Sequence, residues 1–110
     1  MSREHKYRVY SFLDKCFHYF DIYDYPSGIA GGVSEPQQYT GCHDSANKEI
    51  YEGDIVKYNN GDVIRIGYIE FMAGIFFLNF LDQTDEELGY LLVSNLKVIG
   101  NKFETPELLK

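Results

Sequence analysis

Asn59-Asn60-Gly61-Asp62 interrupts two runs rich in aliphatic residues, and no other stretch restricts the fold so tightly. An Asn-Gly pair meets the positive φ that a tight hairpin turn demands, which is costly for most other residues. Before it, Ile55 and Val56 lie between charged residues; after it, Val63-Ile64-Arg65-Ile66-Gly67-Tyr68-Ile69 reads as the returning strand. The centre of the chain is therefore expected to be an antiparallel hairpin.

The same reading extends outward. Lys6-Tyr7-Arg8-Val9-Tyr10 alternates charge with apolar bulk, the period of a half-buried strand. Asp14-Lys15 supplies a turn, and Cys16 to Ile22 returns as an aromatic strand, giving an N-terminal hairpin. From Asp24 to Pro36, two prolines and three glycines predict a long exposed loop, either a flexible cover or a boundary between subdomains. Gln38 to Lys48 is polar and turn-rich, and Glu49 to Tyr58 reads as loop followed by strand. Ile75 to Leu81 is a further strand. Asp82 to Leu88 is an acidic loop or single helical turn, and Gly89–Val93 and Leu96–Ile99 are short apolar runs parted at Ser94-Asn95. Thr105-Pro106-Glu107 has the form of a helix start, with Thr as cap and Pro in the first position, but too few residues follow for more than a stub. The fold expected is mainly β, with six to eight short antiparallel strands in a small bent sheet or SH3-like barrel, an N-terminal hairpin and little helix. At 110 residues this is one domain, residues 1–110, with a possible division into 1–37 and a barrel-like body at 38–110.

Charge narrows the function. The formal net charge is −7, whereas binding through phosphates calls for a basic patch. Arg3, Lys6 and Arg8 are the one basic concentration, so nucleic acid is disfavoured as a partner and a protein partner is favoured. Ten Tyr and eight Phe with no Trp suit sheet edges and subunit contacts. The start lacks the apolar stretch of a secretory signal and no apolar run is long enough to span a bilayer, which predicts a cytoplasmic protein with no membrane contact and with Cys16 and Cys42 reduced.

Three patterns could carry chemistry. Glu49, Glu52 and Asp54 could hold a metal for hydrolysis, with Glu52 and Asp54 on one face of a strand, but no further ligand recurs nearby and Gly53 marks a bend. Cys16, His18, Cys42 and His43 add up to a two-Cys, two-His zinc set, yet neither pair has ligand spacing. The glycines of the long loop lack the Lys-Ser/Thr of a phosphate cradle. The expectation is no catalytic residue, no metal and no cofactor.

Gln38-Tyr39-Thr40-Gly41, Asp44 and Lys48-Glu49-Ile50-Tyr51-Glu52-Gly53-Asp54-Ile55-Val56 together resemble the signature of the YopX family of phage and prophage proteins. Lys6 to Tyr10 is similar to that family's opening, and Val98 to Leu109 to its close. Tyr10 stands where the family often has Trp, Cys42 where it often has Leu, and Ala46-Asn47 in place of an Asn-Gly turn, which implies a different turn geometry. The resemblance implies a small, mainly β protein encoded by phage or prophage, in the cytoplasm of the bacterial host, with no catalytic residues to carry over. The function expected is non-catalytic binding or regulation, as a homo-oligomer acting on a host or phage protein through Tyr7, Arg8, Tyr10, Tyr19, Tyr51, Glu52 and Asp54. The alternatives are a nucleic-acid-binding small barrel that stacks bases on Tyr7, Tyr10, Phe17 and Tyr19, and the metal-dependent hydrolase already described.

Overall fold

The computed structural model describes residues 6–21, 23–82, 84–88 and 93–109. Among these residues, nine strands build two antiparallel sheets: β1 (Lys6–Ser11), β2 (Cys16–Asp21), β3 (Gln37–His43) and β4 (Glu49–Tyr51) in the order β2-β1-β3-β4, and β5 (Asp54–Asn59), β6 (Ile64–Met72), β7 (Ile75–Phe80), β8 (Asp85–Glu87) and β9 (Leu96–Asn101) in the order β8-β7-β6-β5-β9. The chain is mainly β, and the second sheet is a bent, curled half-barrel. Among the described residues, no helix is long and apolar enough to cross a membrane.

The N-terminal hairpin pairs Lys6 with Asp21 through to Ser11 with Cys16. Lys15 closes its turn in a left-handed conformation, φ 56°, with its amide donating to the Ser11 carbonyl. The central hairpin forms at Asn59–Asp62, but around a longer loop than a two-residue turn. Asn59 pairs with Ile64, only Gly61 takes positive φ, and the Asn59 and Asn60 side chains accept from the amides of Gly61, Asp62 and Val63. Asparagine thus stabilises the loop through its side chain.

Several expectations are corrected. Gln38 to Gly41 belongs to strand β3, which pairs Gln38 with Tyr7 and Tyr39 with Tyr51. Its polar sequence hides an alternation in which Gln37 and Tyr39 are buried while Gln38 and Thr40 are half-exposed. Glu49–Tyr51 is strand β4 and not loop, and Asp85–Glu87 of the acidic run pairs with β7. Gly89–Leu92 lies outside the described residues, and Val93–Asn95 forms a 3-10 turn. The long loop is not a detached cover. Val33 bridges to Ser11, the Ser34 amide donates to the Tyr10 carbonyl, and the Phe12 amide to Gly32, so its returning end lies against β1.

Ile50 of β4 is wholly buried among Val56, Ile69, Leu78, Phe80, Leu96 and Val98 of the second sheet. Cys42 of β3 packs against the same cluster. The core of the second sheet therefore extends to β3 and β4 of the first. At the C-terminus, Pro106–Leu109 is a single 3-10 turn. Thr105 does not cap it with its hydroxyl, which is turned back to accept from the Asn101 amide and donate to the Asn101 carbonyl, while its own carbonyl accepts from the Leu108 amide.

Candidate functional site

The signature run Glu52-Gly53-Asp54 sits where the two sheets join, between β4 and β5. Gly53 has φ +85°, which favours glycine, and a Cβ built there would clash with Gln37 Nε2, so any larger residue would have to displace that side chain. Its amide donates to the Ile69 carbonyl of β6, and its carbonyl accepts from the Lys102 amide beyond β9.

Because the chain turns at Gly53, its two acidic neighbours part company. Glu52 turns toward β3: its amide donates to the Gln38 carbonyl, and its Oε1 accepts from the Gln38 amide at 3.3 Å. Burial pushes the Glu52 carboxyl above the ordinary value, with Glu70 adding to the effect and the Gln38 amide, Lys102 and Arg8 opposing it. Asp54 points inward. Its Oδ1 accepts from Arg8 Nη2 at 2.8 Å and its Oδ2 from the Tyr51 amide at 2.8 Å. Burial raises the Asp54 carboxyl too, against the pull of Arg8 and the Tyr51 amide.

Arg8 is held on every side. Nε donates to Gln37 Oε1 at 2.8 Å, Nη2 also donates to the Glu52 carbonyl, and the guanidinium lies 4.0 Å from the Phe17 ring centroid and 4.7 Å from that of Tyr51. Acceptors at Nε and Nη2, together with the two ring faces, offset the cost of burying the guanidinium. Glu49, the third acid of the suspected metal set, goes elsewhere. It accepts from Lys6 through Oε2 and from the Tyr51 hydroxyl through Oε1. Burial and the Glu49 charge push that hydroxyl well above its ordinary pKa. The expectation that Glu52 and Asp54 share a strand face is thus overturned by the Gly53 turn, and the three acids do not converge: Glu52 is held by Gln38, Asp54 by Arg8 and the Tyr51 amide, and Glu49 by Lys6 and the Tyr51 hydroxyl.

Asp44 makes a second tie of the same kind. Oδ1 accepts from the amides of Ala46 and Lys48, and Oδ2 from the Val98 amide of β9 at 2.8 Å. Burial by itself would raise this carboxyl, but the amides of Val98, Lys48 and Ala46, helped by the Lys48 charge, hold it below the ordinary carboxylate value. Asn47 at φ 64° takes the left-handed position within the turn.

The residues expected to form a contact surface are therefore divided. Arg8, Tyr10, Tyr51 and Asp54 are buried, a correction that follows from their places in the junction. Tyr7 and Glu52 are half-buried, and Tyr19 is 60% exposed. With Arg8 ion-paired inside and Lys6 paired with Glu49, two of the three cations of the proposed base-stacking platform face carboxylates; Arg3 lies outside the described residues. Cys16 and His18 adjoin at 3.9 Å on β2, whereas Cys42 and His43 sit on β3, where His43 meets the Tyr39 ring and hydroxyl. Among the described residues, no three His, Cys, Asp or Glu side chains gather as metal ligands.

The structure adds aromatic residues that the sequence reading passed over. Phe103, in the turn after β9, stacks on Tyr10 with centroids 4.9 Å apart and planes 4° from parallel, and it touches Phe12 and Phe17 edge-on. From there rings run on through Phe17, Tyr19, Tyr51 and Tyr39. Phe12 is 51% exposed, so the path reaches solvent at Phe12 and Tyr19. Its sequence signal was thin, since Phe12 follows a strand and Phe103 lies inside a terminal turn. Beside Tyr19, a shallow depression of about 310 Å³ is lined by Lys6, Phe20, Asp21, Glu49 and Tyr51.

Fold and junction together define a small two-sheet β protein whose signature residues fasten one sheet to the other. The chain belongs to the YopX family, described as YopX protein, whose model matches residues 5–110. It is similar in structure to protein EF1440 from Enterococcus faecalis, whose crystal structure aligns at a TM-score of 0.66 and 22% identity over 99% of this chain and 100% of that one. At that identity the likeness carries the fold alone. No curated protein shows significant similarity to the chain.

Proposed function

We propose that this chain is a phage- or prophage-encoded, non-catalytic binding or regulatory protein that works by contact with a protein partner in the bacterial cytoplasm. The observation that carries this reading is the fate of the polar residues of the signature and its opening, and of Gln37 beside them. Arg8, Gln37, Asp44, Glu52 and Asp54 all make hydrogen bonds within the chain, and four of these five are buried. Groups so held serve the fold, since a general acid, base or ligand must reach a reacting atom. What remains for recognition is an acidic surface with exposed aromatic side chains, among them Phe12 and Tyr19 at the ends of the ring path. Large, stiff aromatics anchor protein contacts at small entropic cost.

The test is affinity capture from host lysate by the purified chain beside a Phe12→Lys/Tyr19→Lys variant. A discrete protein retained in fixed ratio by the wild type and lost by the folded variant supports the proposal. Turnover of a substrate that Asp54→Asn abolishes without loss of fold would overturn it.

A further inference from the structure

We infer that the outer edge of β2 is a self-association edge, on which β2 of a second copy pairs antiparallel about a two-fold axis. The inference rests on the contact reading and names this chain itself as a partner.

Four strands end the two sheets: β2, β4, β8 and β9. Three are closed to a newcomer. β8 is short and wholly acidic, Asp85-Glu86-Glu87, so a second copy would set like charges opposite one another. β9 is capped by the loop beside it: the Ser45 amide donates to the Leu96 carbonyl, and Asp44 accepts from the Val98 amide. β4 has three residues, and its Tyr51 amide is committed to Asp54. β2 is different. It is twice as long as β4 or β8, carries no Asp, Glu, Lys or Arg from Cys16 to Phe20, and contains no proline. Among the described residues it pairs with β1 alone. In an antiparallel pair every second residue turns its N–H and C=O away from its neighbour, so such an edge is a template for another strand.

Charge and side-chain chemistry choose the occupant and the register. A two-fold axis normal to the sheet leaves each side chain on its own face, so a residue can oppose only one of the same parity. With His18 on the axis, Phe17 lies opposite the partner's Tyr19, and Lys15, in the turn that leads into β2, comes beside the partner's Asp21 at each end. Lys15 and Asp21 are exposed, and Asp21 engages the Tyr23 amide through Oδ1, leaving Oδ2 for a cation. The neighbouring register, with Tyr19 on the axis, sets Phe17 against the partner's Asp21 and loses the lysine contact. The first register gives two opposite-charge pairs and two aromatic pairs, the cross-strand combinations that stabilise sheets.

The experiment is sedimentation across a dilution series for the wild type, Lys15→Glu, Asp21→Lys and the double charge swap, with circular dichroism to confirm folding. The wild type is expected to dimerise. Each single reversal turns two attractive pairs into two repulsive ones and weakens the dimer about tenfold, and the swap restores it to within about threefold. A wild type that stays monomeric at every concentration overturns the inference, as does a dimer indifferent to the single reversals. If that monomer still captures a protein through Phe12 and Tyr19, the contact reading survives and only the self-pairing fails.

Discussion

Arg8 on β1 and Asp54 on β5 meet at 2.8 Å although 46 positions separate them, with side chains only 4% and 3% exposed. Removing the cation leaves a carboxylate in low dielectric and strands the acceptors of Gln37 and Glu52. Arg8→Met is expected to cost about 3–5 kcal/mol in urea unfolding. Burial already raises the Asp54 carboxyl, so Asp54→Asn, which keeps an acceptor for the Tyr51 amide or Arg8, should be milder at about 1–2 kcal/mol. An equal loss for both would mean that the pair is not what holds the junction.

Gly53→Ala should exceed Gly61→Ala in cost. Both residues have positive φ, which disfavours any Cβ by about 1–2 kcal/mol. At Gly61 nothing lies within 4 Å of the added carbon, whereas at Gly53 it strikes the amide of Gln37, whose Oε1 accepts from Arg8. Displacing Gln37 adds a buried unsatisfied donor, bringing the Gly53 change to about 3–4 kcal/mol. Chemical denaturation of the two variants side by side checks the difference.

Stability should change direction with pH. Glu52 and Asp54 have folded pKa values above their unfolded 4.5 and 3.8, so their contribution is fully present below those values and is lost as pH rises through the folded ones. Asp44 has the opposite sign: its folded value is below 3.8, so its contribution is present above 3.8 and disappears as pH falls through the folded value. Acidification from neutrality is expected to raise the melting temperature and then lower it. Asp44→Asn should be less stable at neutral pH and should flatten only the acid limb, as thermal melts between these limits will show.

Phe103→Ala should loosen the chain end. It removes the ring stacked on Tyr10 and touching Phe12 and Phe17. The loss expected is about 2–3 kcal/mol, below that for a fully buried Phe because the ring is partly exposed. Amide exchange of residues in β1 should quicken in the variant.

Much of the fold was legible in local chemistry. Asn60-Gly61 marked the β5–β6 hairpin, Asp14-Lys15 the first turn, and Gly53 the bend at the junction, because each acts through its own backbone. Strand β3 escaped because Gln37-Gln38-Tyr39-Thr40 owes its burial to β1 and β4, which lie far off in sequence. Glu52 and Asp54 were placed together on one strand face, whereas the positive φ of Gly53 sends them to different elements. Arg8 gave no sign of its partner: an alternating Lys-Tyr-Arg reads as a solvated face, and only the tertiary fold delivers Asp54 to it.

The tie between Arg8 and Asp54 also bears on how the molecule is made. A nascent chain emerging from the ribosome can close its first hairpin within twenty-odd residues, but the guanidinium then waits for an acid encoded much later. Until β5 arrives, Phe17, Tyr51 and the cation between them have nothing to seal them from water. Fragments that stop short of Asp54 should therefore be prey for cellular proteases, while the finished chain, with the two sheets joined, should resist them.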